Sequence, residues 1–483
     1  MAEVVRLHPG QYRDSVALMR LSAELNSTPE AEAALVAMAT DLNLQLAGDL
    51  GFDLPSGASP TDLLVAVRSA NAAAASALAD SALELLERAS VEAQPVEGPV
   101  ARSVRSASSI LERPSVALVS VPGPHAFTEA MEALAAGLHV VVFSDNVSVE
   151  QEVALKAEAA RRGTLLMGPD CGTVILSGVG VGFANVVSPG PVALVAASGT
   201  GAQQVCALLD AAEIGVEHVI GVGGRDLSAP VGGASTVRAL ELLAAEPAVE
   251  VVGLVAKSID GGVRAQIESV VSEFAAPVVV IAADEPDDDL TAGACRLATA
   301  LGRALPDPQV WHGLLGRGGG GFVRGLYSGG TLCGEAVSII SVGGTVVETN
   351  LARPLDSEPV GHSLVDYGAD EFTAGRAHPM IDQQFRIARL EAEAADPGVA
   401  AILIDVVLGH AAHPDPAAEL AMPIKAAIEK HGVSVVVALI GTRDDPQGLT
   451  RQAETLVEAG AHVHQSNAAA ARHALAFADG TAQ

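Results

Sequence analysis

Aromatic side chains are scarce: nine Phe, three Tyr and one Trp make up 3% of the 483 residues. Little surface is left on which nucleobases could stack. Basic residues are few, 28 Lys and Arg against 58 Asp and Glu, for a formal net charge of −30. Such a surface repels phosphate backbones and anionic headgroups, so neither nucleic acid nor membrane is expected as a partner. An anionic substrate must then be captured by a local positive site working against the global field. Only four cysteines occur, Cys171, Cys206, Cys295 and Cys333. Their spacing fits neither a disulfide framework nor a metal knuckle, and no metal site is expected. No apolar run reaches the roughly 20 residues of a membrane span. The opening stretch, Met1 to Arg6, carries no signal-peptide pattern. Together these absences predict a cytoplasmic chain.

What is abundant is aliphatic. Hydrophobic residues make up 49% of the chain, enough for a large core spread over three or four domains. Strand candidates at Glu3–Leu7, Ala33–Ala39 and Leu63–Val67, with helical patterns at Asp14–Leu25 and Ala72–Arg88, predict a small α/β domain over 1–100. A linker around Gln94–Pro99 ends it. From Ser115 strands and helices alternate, which predicts a parallel Rossmann-like domain over 101–188. A second set over 189–310 has strands at Val192–Ala196, His218–Gly221, Val251–Ala256 and Val278–Ala282. A third over 319–483 has them near Ala400–Val407, Val433–Gly441 and His462–Gln465. The last two sets read as a distant duplication, joined by a connection that includes Gly316 to Gly321. In folds of this kind ligands bind at the carboxyl ends of the strands.

Each of the last two sets carries one Gly-rich turn leading into an apolar helix. The first is Ser198-Gly199-Thr200-Gly201, the second Ser328-Gly329-Gly330-Thr331. A helix start presents unpaired backbone N–H groups and the positive end of the helix dipole. Ser and Thr add hydroxyls, and Gly removes bulk, so each turn suits a small anion such as phosphate. Two such ends could face one anion. The competing reading is two ordinary N-caps.

Other candidates sit at strand ends or in loops. In Gly375–Pro379, Arg376 is placed either to bind a substrate carboxylate or to make an interdomain ion pair. His378 beside it is either a donor or general base, or a helix cap. Arg225 either touches the anion with Asp226 holding it, or forms a structural pair with Asp226. Asn146 is placed to hydrogen-bond an amide, with Asp145 as a partner or a helix cap. Asp170 and Cys171, in the Gly168–Gly172 turn, join the substrate-binding candidates, although Cys171 also suits filling a tight space. His410 and His413 have metal-like spacing but only two visible ligands, so a loop is the preferred reading. Lys257 ends a strand as an anion contact or a solvated lysine.

The motifs resemble the succinyl-CoA synthetase superfamily. Gly168-Pro169-Asp170-Cys171 is similar to that family's Gly-Pro-Asn-Cys, Ser198-Gly199-Thr200 to its Ser-Gly-Thr turn, and Gly221-Val222-Gly223-Gly224 to its Gly-Ile-Gly-Gly turn. The resemblance implies a CoA-binding-type Rossmann domain followed by two flavodoxin-like CoA-ligase-type domains, with both helix ends facing one phosphoryl group. The whole chain resembles the FdrA proteins through Phe143–Val147, Met167–Thr173, Phe183–Val186, Gly223–Ser228, Gly325–Leu332 and Gly375–Asp382. That resemblance implies oxamate carbamoyl transfer at the end of allantoin breakdown, carried out with partner subunits.

The departures narrow the expectation. A CoA ligase of this superfamily needs a phosphorylated histidine after the strand that ends near Ala282. This chain has Asp284 to Leu290 there, and no histidine between His218 and His312. It lacks an ATP-grasp segment and the usual CoA loop. The phosphate cradle remains without a phosphate carrier, which suits a substrate bringing its own phosphate. The expectation is a carbamoyltransferase subunit acting on carbamoyl phosphate and oxamate or a similar small amide acid. It uses no resident cofactor and forms a homo-oligomer or a complex with other carbamoyltransferase subunits. An acyl-CoA synthetase-like transferase and a non-catalytic scaffold or metabolite sensor are the alternatives.

Overall fold

The computed structural model describes residues 2–11, 15–26, 28–40, 43–44, 47–48, 50–55, 57–59, 61–92, 101–282, 288–314, 320–355, 357, 359–373 and 377–481. It divides into two units: Met1–Val100 with Glu371–His378, and Ala101–Asp370 with Pro379–Gln483.

The first unit is built on β1 (Ala2–His8), β2 (Ala31–Met38) and β3 (Leu63–Ser69). Its sheet runs in the order β1-β3-β2 with every pair antiparallel. The helices Ser15–Asn26 and Ala72–Glu92 pack on it. Leu18, Leu21, Leu25, Val65 and Val67 form its core. The elements lie where the sequence pattern puts them. The antiparallel order follows from pairing with β3, which is buried along almost its whole length.

The second unit holds three sheets. The smallest pairs β4 (Val116–Val119), β5 (His139–Val142) and β6 (Leu166–Met167) in parallel. The helix Val149–Arg162 between β5 and β6 shows why these residues fold locally as they do. Ser148 and Gln151 form a reciprocal capping box, Glu150 and Glu152 occupy the first turn, Arg161 and Arg162 the last, and Gly163 closes it at φ 70°. Each feature satisfies an orphan backbone group or the helix dipole.

The next sheet adds β7 (Thr173–Leu176), β8 (Val179–Gly182), β9 (Val192–Ala196), β10 (Val216–Gly221), β11 (Val251–Ala256) and β12 (Val278–Ala282). Its order is β12-β11-β9-β10-β7-β8. The four strands from β9 to β12 are parallel, and β7 and β8 join antiparallel. Residues 173–182, expected within a 101–188 domain, thus pair in the sheet of the following set.

The last sheet comprises β13 (Val310–Trp311), β14 (Phe322–Tyr327), β15 (Val347–Glu348), β16 (His362–Asp366), β17 (Val399–Val407), β18 (Ser434–Ile440) and β19 (His462–His464). Its order is β13-β19-β18-β17-β14-β16-β15, parallel except for β13. In both large sheets the strand before the Gly-rich turn, β9 or β14, has later strands on either side. Each is a point where the winding reverses, which is where open parallel sheets expose a crevice.

One hydrophobic core runs through both large sheets, from Leu194 and Val255 to Leu332, Ile340 and Ala474. The helix Gly199–Ala211 is buried almost all round, with Val205, Cys206, Leu208 and Leu209 inside. It packs on the helices Leu290–Ala300 and Gly330–Ile340. Several polar groups in this layer are paired. Gln204 Oε1 accepts from Asn467 N at 2.9 Å, Asn467 Nδ2 donates to Glu335 Oε2 at 2.7 Å, and Leu290 N donates to Glu335 Oε1 at 2.7 Å. Burial pushes Glu335 up to about 7.

Candidate functional site

The two Gly-rich turns meet within one chain. Ser198 is the N-cap of the Gly199–Ala211 helix, and its Oγ accepts from Gly201 N at 3.0 Å. The same hydroxyl donates to Thr331 Oγ1 at 2.6 Å. Thr331 lies in the first turn of the Gly330–Ile340 helix, whose N-cap is Gly329. The approach is close enough that only glycine fits. A Cβ on Gly329 would lie 2.6 Å from Thr200 Oγ1 and 2.8 Å from Thr200 Cβ. The helix ends touch, so they face each other in contact, not across an open cleft. An anion served by both must sit beside the contact, near the first-turn N–H groups other than that of Gly201, which Ser198 Oγ already accepts.

The second turn is held from below. Ser328 donates from N to Asp405 Oδ1 at 2.7 Å and from Oγ to both Asp405 oxygens at 3.0 Å. Arg386 Nη1 donates to Asp405 Oδ1 at 2.6 Å and to the Asp405 carbonyl at 2.8 Å. Asp405 and Arg386 are both fully buried. Burial pushes the Asp405 carboxyl up, and Arg386 and the Ser328 donors pull it back. A buried pair this well bonded stays ionised, and breaking it strands a charge. The hydroxyls of Ser198 and Ser328, expected to serve the anion, are therefore committed within the protein. Backbone N–H groups, Thr200 and Thr331 remain.

Charged side chains ring the contact. Lys257 follows β11 and Asp366 ends β16. A Cβ on Gly330 would lie 2.5 Å from Asp366 Oδ2 and 2.8 Å from Lys257 Nζ. Burial pushes Asp366 up to about 6, with Lys257 opposing. Asp170 is exposed, with protein packed around its carboxyl end. That crowding first, then the carboxylates of Asp370 and Asp145, push it up to about 7, while Arg225 and Lys257 pull it down. Asn146, beside Asp145, is exposed at φ 53°.

Several expectations are corrected. Cys171 is buried, with Sγ 3.2 Å from Gly221 O, and burial pushes its thiol up to about 12. It fills the tight space under the turn and offers no ligand contact. Arg225 neither pairs with Asp226 nor is held by it. Its Nε donates to Glu152 Oε2 at 2.9 Å and its Nη2 to Val147 O at 2.8 Å. Asp226 accepts from Lys156 Nζ at 2.6 Å and from Thr236 N and Oγ1 at 2.9 and 2.6 Å. The buried Lys156 ammonium needs that carboxylate more than the half-exposed Arg225 does. Arg376 lies outside the described residues. His378 is partly buried and belongs to the first unit. His413 pairs with Glu419 at 3.3 Å, and His410 N donates to Ala184 O at 2.8 Å, so both serve a loop.

Asp366, Asp405 and Arg386 were missed. Asp405 gave a usable signal, a lone carboxylate inside the apolar run Ala401–Leu408, because an acid in a buried strand must have a partner.

Comparison with known proteins adds the family. Residues 326–477 match the family model described as CoA-ligase, and residues 1–100 match that of the AllF heavy metal-associated domain. The chain is 32% identical to YahF of Escherichia coli (strain K12) over 494 aligned positions, covering 95% of each chain. It is 29% identical over 184 residues to succinate–CoA ligase [ADP-forming] subunit alpha 2 of Archaeoglobus fulgidus, covering 37% of this chain and 59% of that subunit. Among solved structures, dinucleotide-forming acetyl-coenzyme A synthetase 1 of Ca. Korarchaeum cryptofilum is 16% identical, with a TM-score of 0.33 over 80% of this chain and 87% of that one.

The description of residues 1–100 raises the question of a metal there. Soft metals take thiolate or imidazole ligands. This segment has no cysteine and one histidine, His8. Among the described residues no group of three His, Cys, Asp or Glu is arranged to hold an ion. The donor set does not fit a heavy metal. No helix among the described residues is long and apolar enough to cross a membrane.

Proposed function

The chain belongs to the FdrA family of succinyl-CoA synthetase-like proteins, and on that premise we propose that it transfers a carbamoyl group between carbamoyl phosphate and oxamate or a similar small amide acid. Its CoA-ligase domain places it in the acyl- and phosphoryl-transfer superfamily. The finer reading is carried by one observation. The two helix starts share a single locus through the 2.6 Å bond from Ser198 to Thr331, while the stretch from β12 to His312 has no histidine to carry a phosphoryl group.

In this reading the phosphate of carbamoyl phosphate lies beside Gly199, Thr200 and Gly201 on one side and Gly329, Gly330 and Thr331 on the other. The acceptor amide nitrogen attacks the carbamoyl carbon, and the bond from that carbon to the phosphate oxygen breaks. Charge gathers on the departing phosphate, where the helix dipoles and Lys257 stabilise it. The roles assigned from the sequence alone are Arg376 for the acceptor carboxylate and His378 for the proton lost from the amide nitrogen. Asp170, Asn146 and Arg225 line the acceptor side. Holding two small anionic reactants by their charged ends supplies much of the acceleration through proximity. We expect partner subunits to complete the enzyme. The test is phosphate release from carbamoyl phosphate with and without oxamate, using this chain alone and with the products of neighbouring genes. Oxamate-dependent release supports the reading, and no release with the full set defeats it.

A second reading, acyl-CoA synthetase-like transfer, is favoured by the CoA-ligase match, which includes the Ser328 turn. Its assay is labelled ATP with CoA and candidate acids, where a CoA thioester or phosphohistidine replaces oxamate-dependent release.

A further inference from the structure

The amide end of the Gly330–Ile340 helix carries one cation and one carboxylate, and they make opposite demands on a ligand. Lys257 is exposed, and its ammonium offers hydrogen-bond donors and a positive charge. Asp366 is only 9% exposed. Its Oδ1 accepts from Gly368 N at 2.9 Å, while Oδ2, aimed at the helix start, accepts no hydrogen bond among the described residues. A bare phosphate would satisfy Lys257 and the helix amides, yet it would be repelled by Asp366. A ligand satisfying both has anionic oxygens and, next to them, an N–H.

We infer that Lys257 and Asp366 are the specificity pair of this site: Lys257 binds the anionic oxygens, and Asp366 Oδ2 accepts an N–H from the amide group of the same ligand. The inference rests on the carbamoyl-transfer reading and narrows it to amide-bearing phosphates, against acyl phosphates with a methyl at that position. The discrimination comes from the acceptor. A methyl group leaves Oδ2 desolvated without a partner, and such an unmet buried acceptor is more costly than the hydrogen bond is favourable. Although burial raises Asp366, its carboxyl is mostly ionised at neutral pH and so presents an acceptor, not a donor.

The test is calorimetric titration of the full-length chain with two hydrolysis-resistant mimics, phosphonoacetamide and acetonylphosphonate, which differ by an amide NH2 in place of CH3. The wild type is expected to bind phosphonoacetamide at least about tenfold more tightly, the factor one hydrogen bond of ordinary net strength supplies. Asp366→Asn keeps the acceptor for Gly368 and turns an NH2 toward the ligand, so the ratio should fall to about one or below. Lys257→Met should weaken both mimics by a similar factor and leave the ratio intact. Equal affinities in the wild type, or an unchanged ratio in Asp366→Asn, overturn the pair while leaving the anion site standing. If the wild type binds neither mimic nor inorganic phosphate, the anion site fails and the carbamoyl reading fails with it.

Discussion

Replacing Gly329 by Ala tests the contact between the helix ends by steric means alone. A methyl there meets Thr200 Oγ1 at 2.6 Å, Cγ2 at 2.7 Å and Cβ at 2.8 Å. Ordinary carbon contacts are near 3.5–4.0 Å, so relief requires the helix starts to separate by several tenths of an ångström or more. Gly329 has φ −122°, a conformation alanine adopts freely, so no backbone strain enters. Overpacking of this kind costs about 1–3 kcal/mol. The comparison is Gly224→Ala, whose methyl would find nothing nearer than Ala197 O at 3.9 Å. The assay is thermal and urea denaturation of both variants, alone and combined with Thr200→Gly. Thr200→Gly removes the three atoms nearest the new methyl. The double variant should recover more than about 1 kcal/mol of the Gly329→Ala loss, a coupling expected only between residues in contact. If Gly329→Ala is as harmless as Gly224→Ala, or Thr200→Gly fails to rescue it, the two helix starts do not touch.

Other consequences follow from burial and charge. Arg386→Met leaves Asp405 buried without its cation and should destabilise the chain by about 3–5 kcal/mol in chemical denaturation, whereas Arg161→Met, at a surface i,i+3 pair with Glu158, should leave the denaturation midpoint nearly unchanged. Native protein at pH 8 should be alkylated by iodoacetamide at Cys295 alone, because Cys171, Cys206 and Cys333 are buried with raised thiols; mass spectrometry showing early labelling of Cys171 would contradict its place under the turn. Sulfate, whose charge is fixed, should bind more tightly as pH falls from 8 to 5.5. Asp170 and Asp366 have pKa values raised to about 7 and about 6 and lose their negative charge in that window. One charge at about 6 Å is worth about 0.7–2.8 kcal/mol for effective dielectrics of 80 to 20, so calorimetry should find roughly a tenfold gain, and a flat or opposite profile places the anion elsewhere.

The sequence was most legible where burial is continuous. β9, β11 and β18 are enclosed on both faces and read as unbroken apolar runs. β14 escaped notice because Arg324 and Gly325 interrupt it; Arg324 is buried by pairing with Glu393 at 2.9 Å, 69 residues away. β7 (Thr-Val-Ile-Leu) and β8 (Val-Gly-Val-Gly) form a short hairpin whose sheet is decided by a single antiparallel pairing with β10. In the first unit the strands were visible but their antiparallel order was not, since pairing order leaves no local mark. At the site, the turns at Ser198 and Ser328 were visible from the Gly-Ser-Thr pattern. That their hydroxyls are already engaged was not, because the partners Thr331 and Asp405 lie 133 and 77 residues away. Arg225 and Asp226, adjacent in sequence, suggested a local pair, yet each found a better partner across the fold.

The central claim is that a single anion is held by both helix starts. It is tested most directly by transverse-relaxation-optimised ¹⁵N–¹H spectra of the labelled chain during titration with inorganic phosphate. The backbone amides of Gly199, Thr200, Gly330 and Thr331 should shift together along one binding curve with a shared dissociation constant. Shifts confined to one turn, or two turns moving with separate constants, would contradict it.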